Sequence, residues 1–202
     1  MTKEIKSATA ITIKNLWNNG NYDAAVLSAL RQSKQINDHH AALAYPILFR
    51  YLPTNSLNEN GNVTYGETAI FTSLHLFALY QQSEHQKLLY KRYNYKDPHS
   101  GTTLMKALSQ LRQDDKLQKA LDRRVQILLM SNNINSVINS LNHLILILKA
   151  KANPKPLIDF ADLAQDLYQW QIRKGTFIGS RKITLKWGQQ YFVEPNSKKK
   201  EN

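Results

Sequence analysis

Apolar residues recur at helical spacing along most of the chain. The clearest stretch is typical of one helix face, with apolar side chains at i, i+3, i+4 and i+7 between Ile134 and Leu148. Leu146 and Ile147 widen that face, and Pro154 ends the helix because it cannot continue the hydrogen-bond pattern. No alternating apolar and polar run is bounded by turn residues, so the pattern predicts an all-α fold.

The same spacing predicts about eight or nine helices, arranged as a two-lobed helical bundle. Asp159 is a suitable N-cap for a helix that ends near Gly175, and a last helix spans Arg181 to Phe192. The tryptophans at 170 and 187 and Tyr191 are expected in the core. The remaining helices are predicted around residues 11–17, 22–32, 41–52, 64–82, 104–111 and 117–128.

Charge is distributed unevenly along the chain. The 202 residues carry 27 Lys and Arg against 15 Asp and Glu, a net charge of +12, and all of this excess lies after residue 86. Such a surface favours a polyanionic partner. We therefore expect an N-terminal lobe over 1–97, a C-terminal basic lobe over 98–194, and a disordered basic tail over 195–202. A basic segment, 84–100, lies between the lobes.

The 84–100 segment interleaves basic residues with Tyr90, Tyr93 and Tyr95. Amines neutralise phosphates and rings stack on bases, which is what contact with a single strand requires. A loop whose tyrosines pack against helix ends explains the same pattern. The sequence leaves both interpretations open.

Several function classes are disfavoured. The chain has no cysteine, which removes disulfides and thiolate chemistry and fits a reducing, cytoplasmic compartment. We find no signal peptide or membrane-spanning run, no zinc-ligand spacing and no phosphate-binding loop, and we predict no cofactor, metal or catalytic residue. Asp159, Asp162 and Asp166 share a helix face and could hold a divalent ion as in a nuclease. Three solvated carboxylates are the commoner explanation.

Cations in the second half are placed to face outward. Lys106 lies about 200° around the helix from Leu104, and Arg123 has the same offset from Leu121, with Arg124 on the flank. Arginine can hold phosphate with a bidentate fork.

The chain between Thr103 and Phe192 resembles the CasB family, the small subunit of the type I-E CRISPR surveillance complex Cascade. The matching stretches are Thr-Leu-Met-Lys-Ala-Leu at 103–108, Leu-Asp-Arg-Arg-Val-Gln-Ile-Leu-Leu at 121–129, Ile158 to Gln171, and Lys-Trp-Gly-Gln-Gln-Tyr at 186–191. Residues 29–33 and 46–53 look similar. Departures are Met105 for glycine, Lys106 for arginine and Asn142 for a frequent arginine, and the 84–100 segment looks longer and more basic than usual.

The resemblance implies a non-catalytic, all-α subunit present as two copies in a ribonucleoprotein for antiviral defence. It would pack against other Cascade subunits and hold an R-loop of crRNA, target DNA and displaced strand. Family-like positions suggest nucleic-acid contact for Arg31, Arg50, Lys106, Arg123 and Arg124. Helical geometry and local charge add Arg112, Arg173, Arg181, Lys182 and Lys186. These cations are expected to form a continuous phosphate-binding track.

Two alternatives remain from the residues themselves. A helical regulator would read a DNA sequence through a recognition helix, although the cations are spread over several helices. A metal-dependent nuclease would use the three aspartates of the 159–166 stretch.

Overall fold

The chain folds into nine α-helices over the residues that the computed structural model describes, which are 2–58, 60–82, 84–174 and 177–193. The all-α prediction is confirmed. None of these helices is long and apolar enough to cross a membrane. The helices are α1 (Thr2–Trp17), α2 (Ala24–Gln32), α3 (Tyr45–Tyr51), α4 (Tyr65–Gln81), α5 (Leu104–Leu111), α6 (Asp115–Leu129), α7 (Ile134–Lys151), α8 (Phe160–Gln171) and α9 (Gly179–Phe192).

Side-chain caps fix where most helices begin. The Asp159 carboxylate accepts the backbone N–H of Asp162, so its predicted capping role is confirmed. At α4 the cap is reciprocal, because Thr64 accepts from the Glu67 N–H and the Glu67 carboxylate accepts from the Thr64 N–H. Single side-chain caps also start α2, α5, α6 and α7, from Asp23, Thr103, Asp114 and Asn133.

Several predicted boundaries were wrong. The first helix begins at Thr2 rather than near residue 11, and α8 ends at Gln171 rather than near 175. The helix expected over 41–52 divides into a 3-10 turn, His39–Ala44, and α3, with Pro46 in the first turn of α3, where its missing N–H costs nothing. A short ribbon pairs Arg173–Lys174 with Phe177–Ile178, and two-residue strands are too short to show alternation.

Helix α8 lies at the centre of the packing and contacts α1, α4 and α9. Its first residue, Phe160, is fully buried, with ring centroids 5.7 Å from Phe77 and 6.0 Å from Tyr80 of α4. The buried side chains form one continuous core from Ile5 to Tyr191. The division into lobes at 97 and 98 stays a prediction, and the tail predicted over 195–202 lies outside the described residues.

The burial of residues along α7 was only partly predicted. Most of its apolar face is buried, and Leu141, Leu144 and Leu148 are inaccessible to solvent. Leu146 is 44% exposed, so the expectation that it widens the buried face was wrong. Trp170, Trp187 and Tyr191 are buried, as predicted.

Candidate nucleic-acid interface

Arg123 and Arg124 lie on the solvent side of α6. Leu121, Val125 and Leu128 are buried on its other side, so helical spacing turns the two arginines outward. The predicted outward orientation is confirmed. Their role in binding nucleic acid stays a prediction.

A cleft of about 510 Å³ between α5 and α9 brings Lys106 and Lys186 together. Thr102, Gln189 and Gln190 also line it. The Lys106 ammonium donates to the Tyr93 hydroxyl and lies 4.4 Å from the centroid of the Tyr93 ring. This lysine therefore lines the cleft and also contacts the 84–100 segment through Tyr93.

Lys186 belongs to a network of ion pairs between α8 and α9. Its ammonium lies 3.0 Å from Asp162 Oδ2 and 2.6 Å from Asp166 Oδ1, while the indole N–H of Trp187 donates to Asp166 Oδ2 at 2.8 Å. Lys6 of α1 approaches Asp162 Oδ1 to 2.7 Å from the other side. The charge of Lys186 is thus largely balanced inside the protein.

Burial and ion pairing shift the pKa values of this network in opposite directions. Burial would raise the pKa of Asp162, but Lys186 and Lys6 outweigh it and hold the pKa below its ordinary value. At Asp166 burial is stronger than the attraction of Lys186, and it raises the pKa to about 6. The two carboxylates in turn overcome the effect of burial on Lys186 and raise its pKa.

The expectation of three solvated carboxylates was wrong for Asp159 and Asp166, which are 1% and 5% exposed. Buried carboxylates require partners, and here lysines supply them. In the part of the chain that the structure describes, no group of three or more His, Asp or Glu side chains is arranged to hold a metal ion. The observed partners of the α8 aspartates are amines and N–H groups.

Arg112 stabilises the junction of α5, α6 and α9. Its guanidinium donates from Nε to Asp122 Oδ1 at 2.7 Å and from Nη2 to Oδ2 at 3.3 Å, and it lies 5.8 Å from the Tyr191 ring centroid. The Tyr191 hydroxyl donates to Asp122 Oδ1 at 2.8 Å. Burial would raise the pKa of Asp122, but Arg112 and Tyr191 together lower it.

Three further predicted cations lie near the start of α9. Arg173 pairs in register with Ile178, the residue before the helix, and Arg181 and Lys182 belong to the first helical turns; all three are exposed. Lys182 and Lys186 are four residues apart and share a helix face. The cleft itself is lined on this side by Lys186, Gln189, Gln190 and Val193, toward the other end of α9.

The two cations predicted in the N-terminal half are not part of this cleft. Arg31 is half-buried beside a separate cavity of about 340 Å³ lined by Trp17, Tyr22 and His85. Burial lowers its pKa. Arg50 is exposed at the end of α3, 5.8 Å from the Tyr51 ring centroid.

Asn142 is buried on α7. Its side-chain oxygen lies 3.0 Å from His75 Nε2, and His75 Nδ1 lies 2.6 Å from the Leu30 carbonyl oxygen. His75 is therefore a buried core histidine, and both of its ring nitrogens have hydrogen-bond partners. Burial lowers the pKa of His75, which favours the neutral ring in this position.

Sequence reasoning missed Lys6, which pairs with carboxylates more than 150 positions away. No local pattern connects residues so distant in the chain. The available signal was the shared face of the three aspartates on α8, because a helix face that turns toward the core with several carboxylates requires nearby cations.

The comparisons with known proteins agree on one family. The family model for CRISPR-associated protein Cse2 matches residues 26–192. The fold is similar to the crystal structure of CasB from Thermobifida fusca, with a TM-score of 0.63 and 18% identity over 95% of this chain and 97% of that one. A chain of a CRISPR RNA-guided surveillance complex gives a TM-score of 0.65 and 17% identity over 93% of this chain and 95% of that one.

A search of curated proteins finds no match. At these identities the structural likeness establishes the fold, and the family model covers most of the chain. The resemblance seen in the sequence is therefore confirmed, and the chain belongs to the Cse2 family of CRISPR-associated proteins, also called CasB.

Proposed function

We propose that the chain is a non-catalytic structural subunit of a type I-E CRISPR RNA-guided surveillance complex, Cascade. In it the chain binds the sugar-phosphate backbone of crRNA, target DNA or displaced strand without reading sequence. The observation that carries this proposal is the pair of exposed arginines, Arg123 and Arg124, on a helix of the matched family region.

The physical basis is the near balance of R-loop formation. An RNA–DNA heteroduplex is about as stable as the DNA duplex that it replaces, so contacts to the backbone tip the equilibrium. In the described residues neither Arg123 nor Arg124 forms an ion pair. Their charges are therefore available to phosphate, unlike those of Arg112 and Lys186, which we expect to contribute less.

The proposed partners follow from the same role. The chain would be present as two copies and contact the other subunits of the complex. Purification of the chain from its host should recover crRNA and those subunits together. Recovery of the chain without either would refute the assignment to the complex.

The double variant Arg123→Glu/Arg124→Glu tests the interface. In an assembled complex it should release the displaced strand faster than wild type, and the slope of log affinity against log salt should fall by about two, one unit for each lost phosphate contact. Lys3→Glu/Lys14→Glu makes the same charge change at exposed positions of α1 and should leave both quantities near wild type. Equal retention by the arginine variant and wild type would remove these residues from the interface.

The same preparation distinguishes the alternative functions. A sequence-specific regulator would prefer its operator to random DNA by roughly 10³-fold or more, whereas a backbone-binding subunit should show no such preference. A nuclease would cleave labelled DNA or RNA with magnesium or manganese and lose this activity in Asp162→Ala.

A further inference from the structure

Tyr95 stands out in the 84–100 segment because its side chain is turned to solvent. It is 78% exposed, whereas Tyr90 is buried and Tyr93 is half-buried against Lys106. The Lys96 ammonium lies 5.6 Å from the Tyr95 ring centroid. The Tyr95 ring is therefore not part of the hydrophobic core, and the Lys96 ammonium lies close to it.

The turn that presents Tyr95 is held in place at both ends. The Asn94 N–H donates to the Ser100 hydroxyl at 3.0 Å, and the Ser100 N–H donates to the Asp97 carbonyl at 3.0 Å. Just before the turn, the Tyr93 N–H donates to the buried Asp159 carboxylate at 2.9 Å. A platform that is already ordered loses little conformational entropy on binding.

Two adjoining cavities lie beside this platform. One, of about 400 Å³, is lined by Tyr93, Tyr95 and Leu157. It shares Thr102 and Gln110 with the cleft between α5 and α9, so the two cavities adjoin, and we refer to them together as the groove. Each is within the size range of small-ligand sites.

Exposed cations outnumber carboxylates around the groove, and the one carboxylate among the lining residues of the cavity beside Tyr95 is Asp97. Lys91, Arg92 and Lys96 are exposed on the segment. Lys106 lines the cleft and donates to the hydroxyl of Tyr93, which lines the other cavity. The Lys91 ammonium donates to the His99 carbonyl oxygen, a neutral acceptor that leaves its charge uncompensated. The carboxylate in the same turn, Asp97, accepts the backbone N–H of His99.

We propose that this groove holds an unpaired strand of nucleic acid, with one base stacked on the Tyr95 ring and the neighbouring phosphates beside Lys96 and Lys106. Bases in a duplex stack on each other, so a ring at the surface can stack on a base only where the strand is single. An exposed ring flanked by amines favours a polyanion over an apolar protein segment. The inference rests on the proposed function and specifies which kind of strand this part of the surface binds.

The test measures binding of the full chain to two fluorescent oligonucleotides of the same length, one of thymidines and one of abasic sites. Both carry the same phosphates, but only the first has bases. Tyr95→Ala should raise the Kd for the thymidine strand about fivefold or more. The Kd for the abasic strand should stay at its wild-type value. Tyr95→Phe keeps the ring and should bind like wild type. Tyr65→Ala, at an exposed tyrosine that lines neither cavity, is the matched control.

The outcomes separate this inference from the proposed function. Equal binding of the thymidine strand by Tyr95→Ala and wild type, or equal losses on both strands, would overturn the stacking site alone. The arginine variants of α6 would then still test the proposed function. If wild type bound neither oligonucleotide and the α6 variants retained the R-loop normally, both would be refuted. Capture of a protein by this groove with no Tyr95-dependent binding of DNA would also overturn the inference.

Discussion

Replacing Asp159 with alanine removes one buried carboxylate that makes three different contacts. Oδ1 accepts the Asp162 N–H at 3.0 Å and caps α8, Oδ2 accepts the Tyr93 N–H at 2.9 Å, and Lys6 lies 3.4 Å away. Loss of an N-cap costs about 1 kcal/mol, and an amide left without a partner in the protein costs about 1–3 kcal/mol. Lys6 keeps Asp162 as a partner, so the loss of its contact with Asp159 contributes little to the change in the free energy of unfolding. We expect a loss of about 2–4 kcal/mol in the free energy of unfolding.

Urea unfolding followed by circular dichroism measures this loss, and Asp23→Ala provides the comparison. Asp23 caps α2 through one contact, with the Val26 N–H at 3.0 Å, and its hydrogen bond is exposed. That variant should lose only about 1 kcal/mol. Amide exchange at Tyr93 should accelerate in Asp159→Ala. If Asp159→Ala costs no more than Asp23→Ala and the Tyr93 amide exchanges as in wild type, the assignment of the second hydrogen bond is refuted.

Two further predictions concern α8 and α9. The pKa of Asp166 is raised to about 6, so between pH 4 and 6 the folded state keeps a proton that the unfolded state releases, and stability falls as pH rises through this window. Asp166→Asn should remove this fall in the free energy of unfolding, which is on the order of 3 kcal/mol at most. Parallel plots of the free energy of unfolding against pH for variant and wild type would contradict the prediction. A Cβ at Gly179 would overlap the Gln169 carbonyl oxygen, whereas at Gly188 its nearest contact is an ordinary 3.7 Å to a leucine methyl. Gly179→Ala should therefore lower the Tm and Gly188→Ala should raise it slightly, and equal Tm values would refute the difference.

Local patterns predicted the features that depend on a single helix. Leu121 and Val125 are buried as their spacing indicates, and Arg123 and Arg124 are exposed for the same reason. The cap at Asp159 is also a local feature, readable from the residue type and its position before an apolar helix. The family resemblance came from such local stretches.

Contacts between distant elements could not be predicted in this way. Lys186 faces outward by helical spacing alone, yet α8 places two carboxylates against it. Leu146 fits the apolar pattern of α7, but burial depends on which helices pack there, and it stays 44% exposed. The continuity of the groove beside Tyr95 arises from segments whose adjacency appears only in the folded chain.

The central position of α8 has a consequence for synthesis of the protein. Helices α1 and α4 pack against a helix that begins at residue 160, so the parts of their surfaces that α8 covers stay exposed until most of the chain has left the ribosome. Contacts between such distant segments form late and leave nascent chains prone to aggregation. A protein truncated before α8 should therefore aggregate when it is synthesised without chaperones.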